Sequence, residues 1–340
     1  MSLPLRVAVA GAGVFGLASA LALVRAGAQV TLHDPGALAG NASAVAAGML
    51  APVSEALTDP AAAGHFDLFQ AALALWPAFA ERHGLDLDRT GARLLGDAAR
   101  LSVLSARAQA LGITAPYQEV RSLPSLAGGY GTAIAGGLEI AGDWRIDASA
   151  LLRLGAMAED LGVVRQTEAP RPADHDVLVV ATGPSLDFLD LAPELARLTP
   201  IRGHILRYRS LPYGGPVLRA PGAYAVPSAQ GLLVGATMEP GQGQAIVDLE
   251  IAAGLAAQAQ DVFPGLVQQA WSAAVGVRAA TPDGLPLVGA SARSGVILAS
   301  GARRNGWLLA PLVGELVAAC AFGRDPGPWA STLAPTGERG

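Results

Sequence analysis

Residues 5–16 read LRVAVAGAGVFG, an apolar run that leads into the glycine pattern Gly11-Ala12-Gly13-Val14-Phe15-Gly16. A helix-like segment, 17–26, comes next, and a second apolar run over 30–33 is followed by Asp34. Glycines at this spacing allow a tight turn, a close backbone approach to a pyrophosphate and close contact between helix and strand. An acid about 20 residues beyond the glycines is typical of a carboxylate that binds a ribose hydroxyl. The segment therefore predicts a βαβ unit that binds a dinucleotide.

The same residues could instead form a secretory signal or a membrane span, because none of the residues between Arg6 and Arg25 is charged. The glycine cluster, and the division of the apolar residues into a strand and a helix, favour the βαβ unit. In the rest of the chain Arg, Asp or Glu interrupts every long apolar run. We therefore expect a cytoplasmic protein that makes no membrane contact.

The composition bounds the function. The 340 residues are 51% hydrophobic and 15% charged, which favours a large core and two structural modules. A net charge of −5 gives no reason to expect a nucleic-acid partner, since nucleic-acid binders need a basic surface. The chain has no lysine, which excludes lysine as a Schiff base or general base. Its single Cys320 excludes an intrachain disulfide, and the scattered histidines do not have metal-ligand spacing.

The order of the predicted elements indicates a nucleotide domain that is assembled from separated stretches. Helices are predicted, with Asp147 as an N-cap and Pro311 in a first turn, over 61–83, 97–112, 147–161, 246–263 and 310–322. Strands are predicted over 176–181, 203–208, 224–227, 232–237, 271–278 and 295–300. The connection 35–57 is too long to be a simple link in a compact domain, so it is expected to have a function. A β-rich domain is therefore expected to be inserted into the nucleotide domain.

Four segments together resemble the flavin-dependent D-amino-acid oxidase family, and within it the glycine oxidases. They are the 11–16 turn with Asp34, SAVAAGMLAP at 43–52, YAVP at 224–227 with VGATME at 234–239, and GVR at 276–278 with TPDGLP at 281–286 and GARRNGWLLAP at 301–311. They occur in the family's order and at about its spacing, so the resemblance covers nearly the whole chain. The family more often has glutamate where this chain has Asp34.

The resemblance implies an α/β fold, with a discontinuous Rossmann-like FAD-binding domain and an inserted, mainly antiparallel β substrate domain. The FAD-binding domain is expected over 1–84, 145–200 and 274–335, and the substrate domain over 85–144 and 201–273. FAD is expected to be non-covalent. The residues expected to contact it are Gly11, Ala12, Gly13, Val14, Phe15, Gly16, Asp34, Ser43, Ala46, Ala47, Gly48, Met49, Val164, Thr182, Gly183, Gly301, Ala302, Arg303, Arg304, Asn305, Gly306 and Trp307.

Arg278 and Tyr224 are the main candidates for substrate binding. An arginine at the end of an apolar strand needs an anionic partner if it is buried, and a carboxylate is the best geometric match. By resemblance, Arg278 binds the substrate carboxylate, Tyr224 adds its hydroxyl, Met238 lines a small pocket and Arg304 belongs to the flavin loop. The alternatives are a structural salt bridge for Arg278 and simple packing for Tyr224 and Met238.

The loop at 301–306 departs from the family, which usually has His-Phe where this chain has Ala302-Arg303. The change removes an imidazole and an aromatic ring and adds a charge. Arg303 either points to solvent or favours a substrate with a second acidic group. The fold and cofactor do not depend on this position, but substrate preference does.

The function implied by the resemblance is oxidation of glycine or another small amino acid by hydride transfer to FAD. It needs no acid or base residue and gives a 2-oxo acid, ammonia and, with oxygen as acceptor, hydrogen peroxide. A role in thiamine biosynthesis and a homo-oligomer are also implied. Alternatives are oxidation of a D-amino acid or an N-methylated amine, a dehydrogenase with another electron acceptor, and a non-catalytic flavin-binding protein. A tRNA-modifying flavoprotein is disfavoured by the acidity and the lack of lysine.

Overall fold

The computed structural model describes residues 3–124, 126 and 128–336. The strands in this part of the chain are β1 Arg6–Ala10, β2 Gln29–His33, β3 Met49–Leu50, β4 Leu87–Asp88, β5 Ala92–Gly96, β6 Tyr117–Glu119, β7 Gly136–Ile140, β8 Trp144–Ile146, β9 Val164–Gln166, β10 Val177–Val180, β11 Thr199–Tyr208, β12 Val217–Ala220, β13 Ala223–Ser228, β14 Gly231–Gly235, β15 Glu239–Pro240, β16 Ser272–Ala280, β17 Leu287–Ala290 and β18 Val296–Ser300. The α-helices are α1 Val14–Arg25, α2 Ala42–Val45, α3 Pro52–Thr58, α4 Pro60–Ala63, α5 Phe66–Ala74, α6 Trp76–Arg82, α7 Ala98–Ala110, α8 Ala150–Asp160, α9 Leu249–Val262, α10 Gly306–Ala321 and α11 Ala330–Leu333.

One sheet contains the predicted βαβ unit. Its strand order is β17-β18-β10-β1-β2-β9, and all neighbours are parallel except β17 and β18. Strand β1 lies at the centre and is buried from Val7 to Ala10, as its apolar sequence requires. Helices α1 and α10 pack together, with Gly314 of α10 so close to α1 that a Cβ would lie 2.6 Å from the Ala18 carbonyl oxygen. The carboxyl end of β1 therefore meets the amino ends of two helices.

A second sheet is mainly antiparallel and has the order β15-β11-β14-β13-β12-β5-β7-β6, with β16 paired along β11. Only the β12–β5 contact is parallel among the strand pairs of this sheet in the described residues. Strand β16 places Arg278 opposite Ile201, and β13 places Tyr224 opposite Gly235. Both candidate substrate residues therefore lie on this sheet.

The structure corrects several helix boundaries. The helix expected over 61–83 is three short helices, α4, α5 and α6, because Gly64 ends the first and Pro77 starts the third. Asp147 is not the N-cap of α8; its carboxylate accepts from the amides of Ser149 and Ala229, and the helix begins at Ala150.

The position of Pro311 is also corrected. Helix α10 begins at Gly306, inside the predicted cofactor loop, so Pro311 lies in the helix interior and not in its first turn. Proline there removes one hydrogen bond of the helix ladder. Helix α10 is buried along most of its length, and we attribute its tolerance of Pro311 to that packing.

In the residues that the structure describes, no helix combines the length and the apolarity that crossing a bilayer requires. The same residues contain no cluster of His, Cys, Asp and Glu that could hold a metal ion. The cytoplasmic location and the homo-oligomer stay predictions.

Candidate active site

A cavity of about 230 Å³ lies where β1 turns into α1, and we call it the glycine-lined cavity. The 11–15 turn, the loop after β10 and the 301–306 loop line this cavity. Its lining includes these predicted cofactor residues: Gly11, Ala12, Gly13, Val14, Phe15, Asp34, Ser43, Ala46, Thr182, Gly183, Gly301, Ala302, Arg303, Arg304, Gly306 and Trp307. The structure thus brings predicted residues from five separate stretches of the sequence together at one end of the parallel sheet.

The glycines of the turn have different roles. Gly11 has φ +99°, and a Cβ there would lie 2.4 Å from the Ala181 carbonyl oxygen. A Cβ at Gly16 would lie 1.8 Å from the Gly11 carbonyl oxygen, so this residue sets the close contact of α1 with the turn. Gly13 has ordinary extended backbone, with φ −67°, and a Cβ would meet only Ser43 Oγ, at 3.5 Å. Gly13 is therefore the glycine that leaves space in the cavity.

We expect Gly16→Ala and Gly13→Ala to fail in different ways. Alanine at 16 overlaps backbone and should lower the free energy of unfolding by about 3 kcal/mol or more. Alanine at 13 should change that free energy by less than about 1 kcal/mol, because its backbone suits alanine, while raising the Kd for FAD. Urea unfolding of the apoprotein and FAD titration separate the two effects. Equal stability losses in both variants would contradict this assignment.

Asp34 is held against the turn. Its Oδ2 accepts from the Ala12 amide at 2.6 Å, and its Oδ1 accepts from the Gly36 amide at 2.8 Å. Ser43 Oγ accepts from the Val14 amide at 3.0 Å, at the first turn of α1. The helix N-terminus, which has no side-chain cap of its own, therefore faces the cavity with its partial positive charge.

A second cavity, of about 360 Å³, adjoins the first, and we call it the arginine-lined cavity. Ala42, Ala46, Arg278, Arg304 and Trp307 line both cavities. The predicted substrate residues Arg278, Tyr224, Met238 and Arg304 all line the arginine-lined cavity, together with Ala47, Gly48, Met49 and Asn305 from the cofactor prediction. A ligand that spans both cavities would therefore bring its far end next to Arg278.

Two glycines make room for the candidate substrate residues. A Cβ at Gly203 on β11 would lie 2.3 Å from Arg278 Nη1, so the guanidinium crosses the neighbouring strand at that glycine. A Cβ at Gly235 on β14 would lie 2.3 Å from Tyr224 Oη. Larger residues at either position would push these side chains out of their places over the sheet.

Arg278 has no ion pair within the described residues. Its nearest polar contacts are weak, at 3.5 Å to the Thr237 carbonyl oxygen and 3.7 Å to Met238 Sδ. The Glu239 carboxylate pairs with Arg202, at 2.7 Å, and with His204 Nδ1, at 2.9 Å, and not with Arg278. Burial lowers the pKa of the Arg278 guanidinium, while burial raises the pKa of the Tyr224 hydroxyl beside it. The salt-bridge alternative for Arg278 is thus not supported, and an external anion is the partner that its charge requires.

A network of arginines and acids closes the other side of the cavity. Glu55, 6% exposed, accepts from Arg219 Nη2 at 2.8 Å and from Arg304 Nη2. Asp59 accepts from Arg304 at 2.8 Å and from Arg303. Burial alone would raise the pKa of the Glu55 carboxyl, but Arg219 and Arg304 outweigh it and hold the pKa below its usual value. Glu55 is therefore an ionised partner of two cations and is unsuited to be a proton acceptor.

This network corrects the expectation for Arg303. Its side chain neither points freely to solvent nor offers an unpaired charge to a substrate, since it is paired with Asp59 and is 26% exposed. The helix break at Asp59 brings that carboxylate to the 301–306 loop, which the sequence alone did not indicate. Arg303 adopts φ +50°, uncommon for a residue other than glycine.

Two predicted cofactor residues line neither cavity. Gly16 lies beneath the turn against Gly11, where it acts through packing. Val164 lies on the edge strand β9, paired with Thr31, and its side chain is 55% exposed. Its contact with the cofactor stays a prediction.

Asp143 was not predicted and lies beneath the site. It is 2% exposed, and its carboxylate accepts from the Val53 amide at 2.9 Å and the Ser54 amide at 3.1 Å, at the start of α3. Burial raises the pKa of Asp143 to about 6, although Ser54, Arg219 and the amide donors oppose the shift. The residue fixes the amino end of the helix that carries Glu55.

We expect Asp143 to make stability fall as pH rises from about 4 to about 7. Its pKa of about 6 in the folded protein exceeds the ordinary aspartate pKa of 3.8, so protonation favours the folded state and this contribution is lost as pH rises between the two values. Relative to Asp143→Asn, the free energy of unfolding of the wild type should fall by about 2–3 kcal/mol over this range. Urea unfolding of both proteins across the range measures it. A difference that does not change with pH would contradict the prediction.

The comparisons with known proteins agree with this geometry. The sequence model of the family described as "FAD dependent oxidoreductase" matches residues 6–320. The chain belongs to this family. The fold class, FAD as cofactor and the assignment as an enzyme are thereby confirmed. The glycine-lined cavity fits FAD on its own evidence, because Gly13 leaves open space where the α1 N-terminus faces it.

Among its relatives in the family, glycine oxidase from Geobacillus kaustophilus is 30% identical, with 92% of this chain and 91% of that protein aligned. The bifunctional ThiO/ThiG protein of Nostoc sp. is 31% identical over 92% of this chain and 52% of its own length. A bifunctional tRNA 5-methylaminomethyl-2-thiouridine biosynthesis protein from Maricaulis maris is 29% identical over 97% and 53%. The chain thus spans about half of each bifunctional relative.

Two solved structures extend the likeness. The crystal structure of glycine oxidase from Geobacillus kaustophilus superposes with a TM-score of 0.85 at 26% identity, and covers 98% of this chain and 100% of that one. Iminodiacetate oxidase from Chelativorans sp. superposes with a TM-score of 0.81 at 23% identity, over 98% and 100%, and shows the fold alone.

Proposed function

We propose that the chain is an FAD-dependent oxidase of glycine or another small amino acid. The products are a 2-oxo acid and ammonia, formed by hydrolysis of the imine, and hydrogen peroxide from oxygen. The observation that carries the proposal is Arg278, a partly buried cation without a carboxylate partner in the described residues, at the junction of the two cavities. The glycine oxidase relative from Geobacillus kaustophilus supports the choice of a small amino acid.

The residues divide the work between two ligands. The 11–16 turn, Asp34 and the 301–306 loop would hold the cofactor, and residues 46–49 would lie along its ring. When bound, FAD accepts the hydride that leaves the substrate α-carbon. Arg278 would bind the substrate carboxylate through paired N–H donors, with Tyr224 adding its hydroxyl, and this fixes the α-carbon in one orientation. Met238 would limit the length of the substrate.

No side chain is required as a general base. Glu55 is the acidic residue that lines the arginine-lined cavity in the described part of the chain, and its pKa is held low by Arg219 and Arg304. It therefore has little tendency to accept a proton from an ammonium group. The amine is expected to enter the reaction in its neutral form, and positioning by Arg278 supplies the protein's contribution to the rate.

We also propose the division into an FAD-binding domain over 1–84, 145–200 and 274–335 and a substrate domain over 85–144 and 201–273. The strands of the parallel sheet come from the first set of ranges. Those of the mainly antiparallel sheet come chiefly from the second, with β11 and β16 crossing the boundaries at residues 200 and 274. Arg278 lies on β16, where the chain passes from one domain to the other.

The test is a visible spectrum of the purified holoprotein during anaerobic addition of glycine, N-methylglycine and alanine. Loss of the flavin band near ~450 nm with one of these, and its return with peroxide when oxygen is admitted, is the expected result. Methylamine, which lacks a carboxylate, is the control and should leave the band unchanged. A flavin that no amino acid reduces would overturn the proposal, and reduction without peroxide on re-oxidation would replace the oxidase by a dehydrogenase.

A further inference from the structure

The arginine-lined cavity holds more positive charge than one substrate carboxylate requires. Among the described residues, four arginines line it, Arg100, Arg219, Arg278 and Arg304, against one acid, Glu55. Asp59 offsets part of this from behind, since it pairs with Arg304, but it also pairs with Arg303. A single substrate carboxylate bound to Arg278 would leave Arg100 and the Nη1 side of the Arg219 guanidinium without an anion.

Arg219 is only half satisfied. Its side chain is 12% exposed, and its Nη2 donates to Glu55 Oε1 at 2.8 Å. Its Nη1 is buried and has no hydrogen-bond partner among the residues that the structure describes. Glu55 in turn is shared with Arg304. Asp143 lies near enough to favour the charged guanidinium, but its oxygens accept from the amides of α3. Burial of a charged guanidinium is costly, and a carboxylate bound in the cavity that Arg219 lines would offset part of that cost.

Arg100 is the second unsatisfied cation. It lies in the first turn of α7, where its backbone amide donates to the Asp97 carboxylate. Within the described part of the chain, its Nε is buried and has no hydrogen-bond partner. Burial and the charge of Arg219 lower the pKa of Arg100, while Asp97 opposes the shift. Arg100 and Arg219 thus line the same cavity and repel each other, and an anion bound between them would offset this repulsion.

We propose that Arg219 and Arg100 form a second carboxylate subsite, so that the preferred substrate is a short amine with two carboxylates. The inference rests on the proposed function, with the α-carboxylate on Arg278. Arg219 lies opposite Tyr224 in the β12–β13 pair, and both Arg219 and Arg278 act on the pKa of that hydroxyl. The two subsites therefore flank Tyr224, and the small residues Ala220, Gly222 and Ala223 line the same cavity.

The binding test uses oxydiacetate, a dicarboxylate with no oxidisable amine, and methoxyacetate, its matched monocarboxylate. Calorimetric titration of the holoenzyme should give a Kd for oxydiacetate about tenfold or more below that for methoxyacetate. Arg100→Gln and Arg219→Gln should each remove most of this advantage. Arg107→Gln is the control for net charge, because Arg107 lies on the same helix but donates to the Leu57 carbonyl outside the cavity lining, and it should keep the advantage.

The kinetic test measures anaerobic flavin reduction by iminodiacetate and by each enantiomer of aspartate, against N-methylglycine and alanine. Faster reduction by iminodiacetate places the second carboxylate on the nitrogen substituent, and faster reduction by an aspartate places it on the side chain. Either result supports the subsite if Arg100→Gln abolishes the preference. Arg100→Gln decides the question even if Arg219→Gln fails to fold, since Arg100 has no acidic partner in the described residues.

The outcomes separate this inference from the proposed function. Equal Kd values for the two acids, together with flavin reduction by glycine, would overturn the subsite and leave the oxidase intact. A tight oxydiacetate complex in a protein whose flavin no amine reduces would support the subsite and overturn the oxidase. An advantage that survives in both arginine variants would overturn the assignment of Arg100 and Arg219.

Discussion

Replacing Arg278 with methionine is expected to lower kcat/KM for the best amino acid substrate by about 30-fold to several thousandfold, mainly through KM. Loss of one partner from a buried charged pair costs about 2–5 kcal/mol, and the substrate carboxylate loses that partner here. Steady-state kinetics of the variant holoenzyme measures the effect. Arg278→Lys should recover part of the loss, because lysine keeps the charge but not the paired donors.

The same substitution has a second expected effect, which a structural salt bridge would not produce. Because Arg278 is partly buried and has no ion pair in the described residues, its removal relieves a desolvated charge. Arg278→Met should therefore raise the free energy of unfolding of the apoprotein by about 1 kcal/mol. The same variant, loaded with FAD, should bind the cofactor as the wild type does. An unchanged KM, or a variant that is less stable than the wild type, would contradict the assignment of Arg278 to substrate binding.

The FAD site could be predicted from sequence because its signals are local. The 11–16 glycines, the flanking strand and helix, and Asp34 all lie within one βαβ unit, and the structure brings Gly11, Gly13 and Asp34 to one cavity. The resemblance added residues from the 43–52 and 301–311 segments, most of which line the two cavities. Helix ends are harder to predict. The local capping and proline rules predict Asp147 as an N-cap and Pro311 in a first turn, and tertiary contacts override both.

The buried charges could not be paired from sequence, although the sequence marks them. Glu55 is the single charged residue between Asp34 and Asp59, and Arg219 is the single charged residue between Arg209 and Glu239. A lone charge in a long uncharged run is a candidate for a buried ion. The pairing itself joins residues 164 positions apart, and it follows from the tertiary contact between a side chain of α3 and one of β12, which no local pattern encodes.

Gly203 and Gly235 show a second limit. Each lies in an ordinary strand sequence, and neither has positive φ, so neither shows the usual reason for a glycine. Their role becomes visible only when β11 and β14 place them beside Arg278 and Tyr224. Absence of a side chain on one strand is then what permits a functional side chain on the next.

Replacing Glu55 with leucine is expected to cost about 3–5 kcal/mol of the free energy of unfolding, the largest stability effect that we predict. Leucine removes the ion-pair partner of the buried Arg219, whereas Arg304 keeps Asp59. Urea unfolding of the apoprotein measures the loss. Glu119→Leu is the matched control, because Glu119 pairs with Arg121 at an exposed site, and it should cost no more than about 0.5 kcal/mol.

The double variant Glu55→Leu/Arg219→Met shows where the cost arises. If the loss in Glu55→Leu comes from an uncompensated buried charge, removing Arg219 as well should restore most of the stability, since an apolar pair of similar volume replaces a buried ion pair at little cost. Losses that simply add would show instead that the two residues contribute independently. The double variant should also lose most of the oxydiacetate preference even where stability is restored, because one of the two cations of the proposed second subsite is gone.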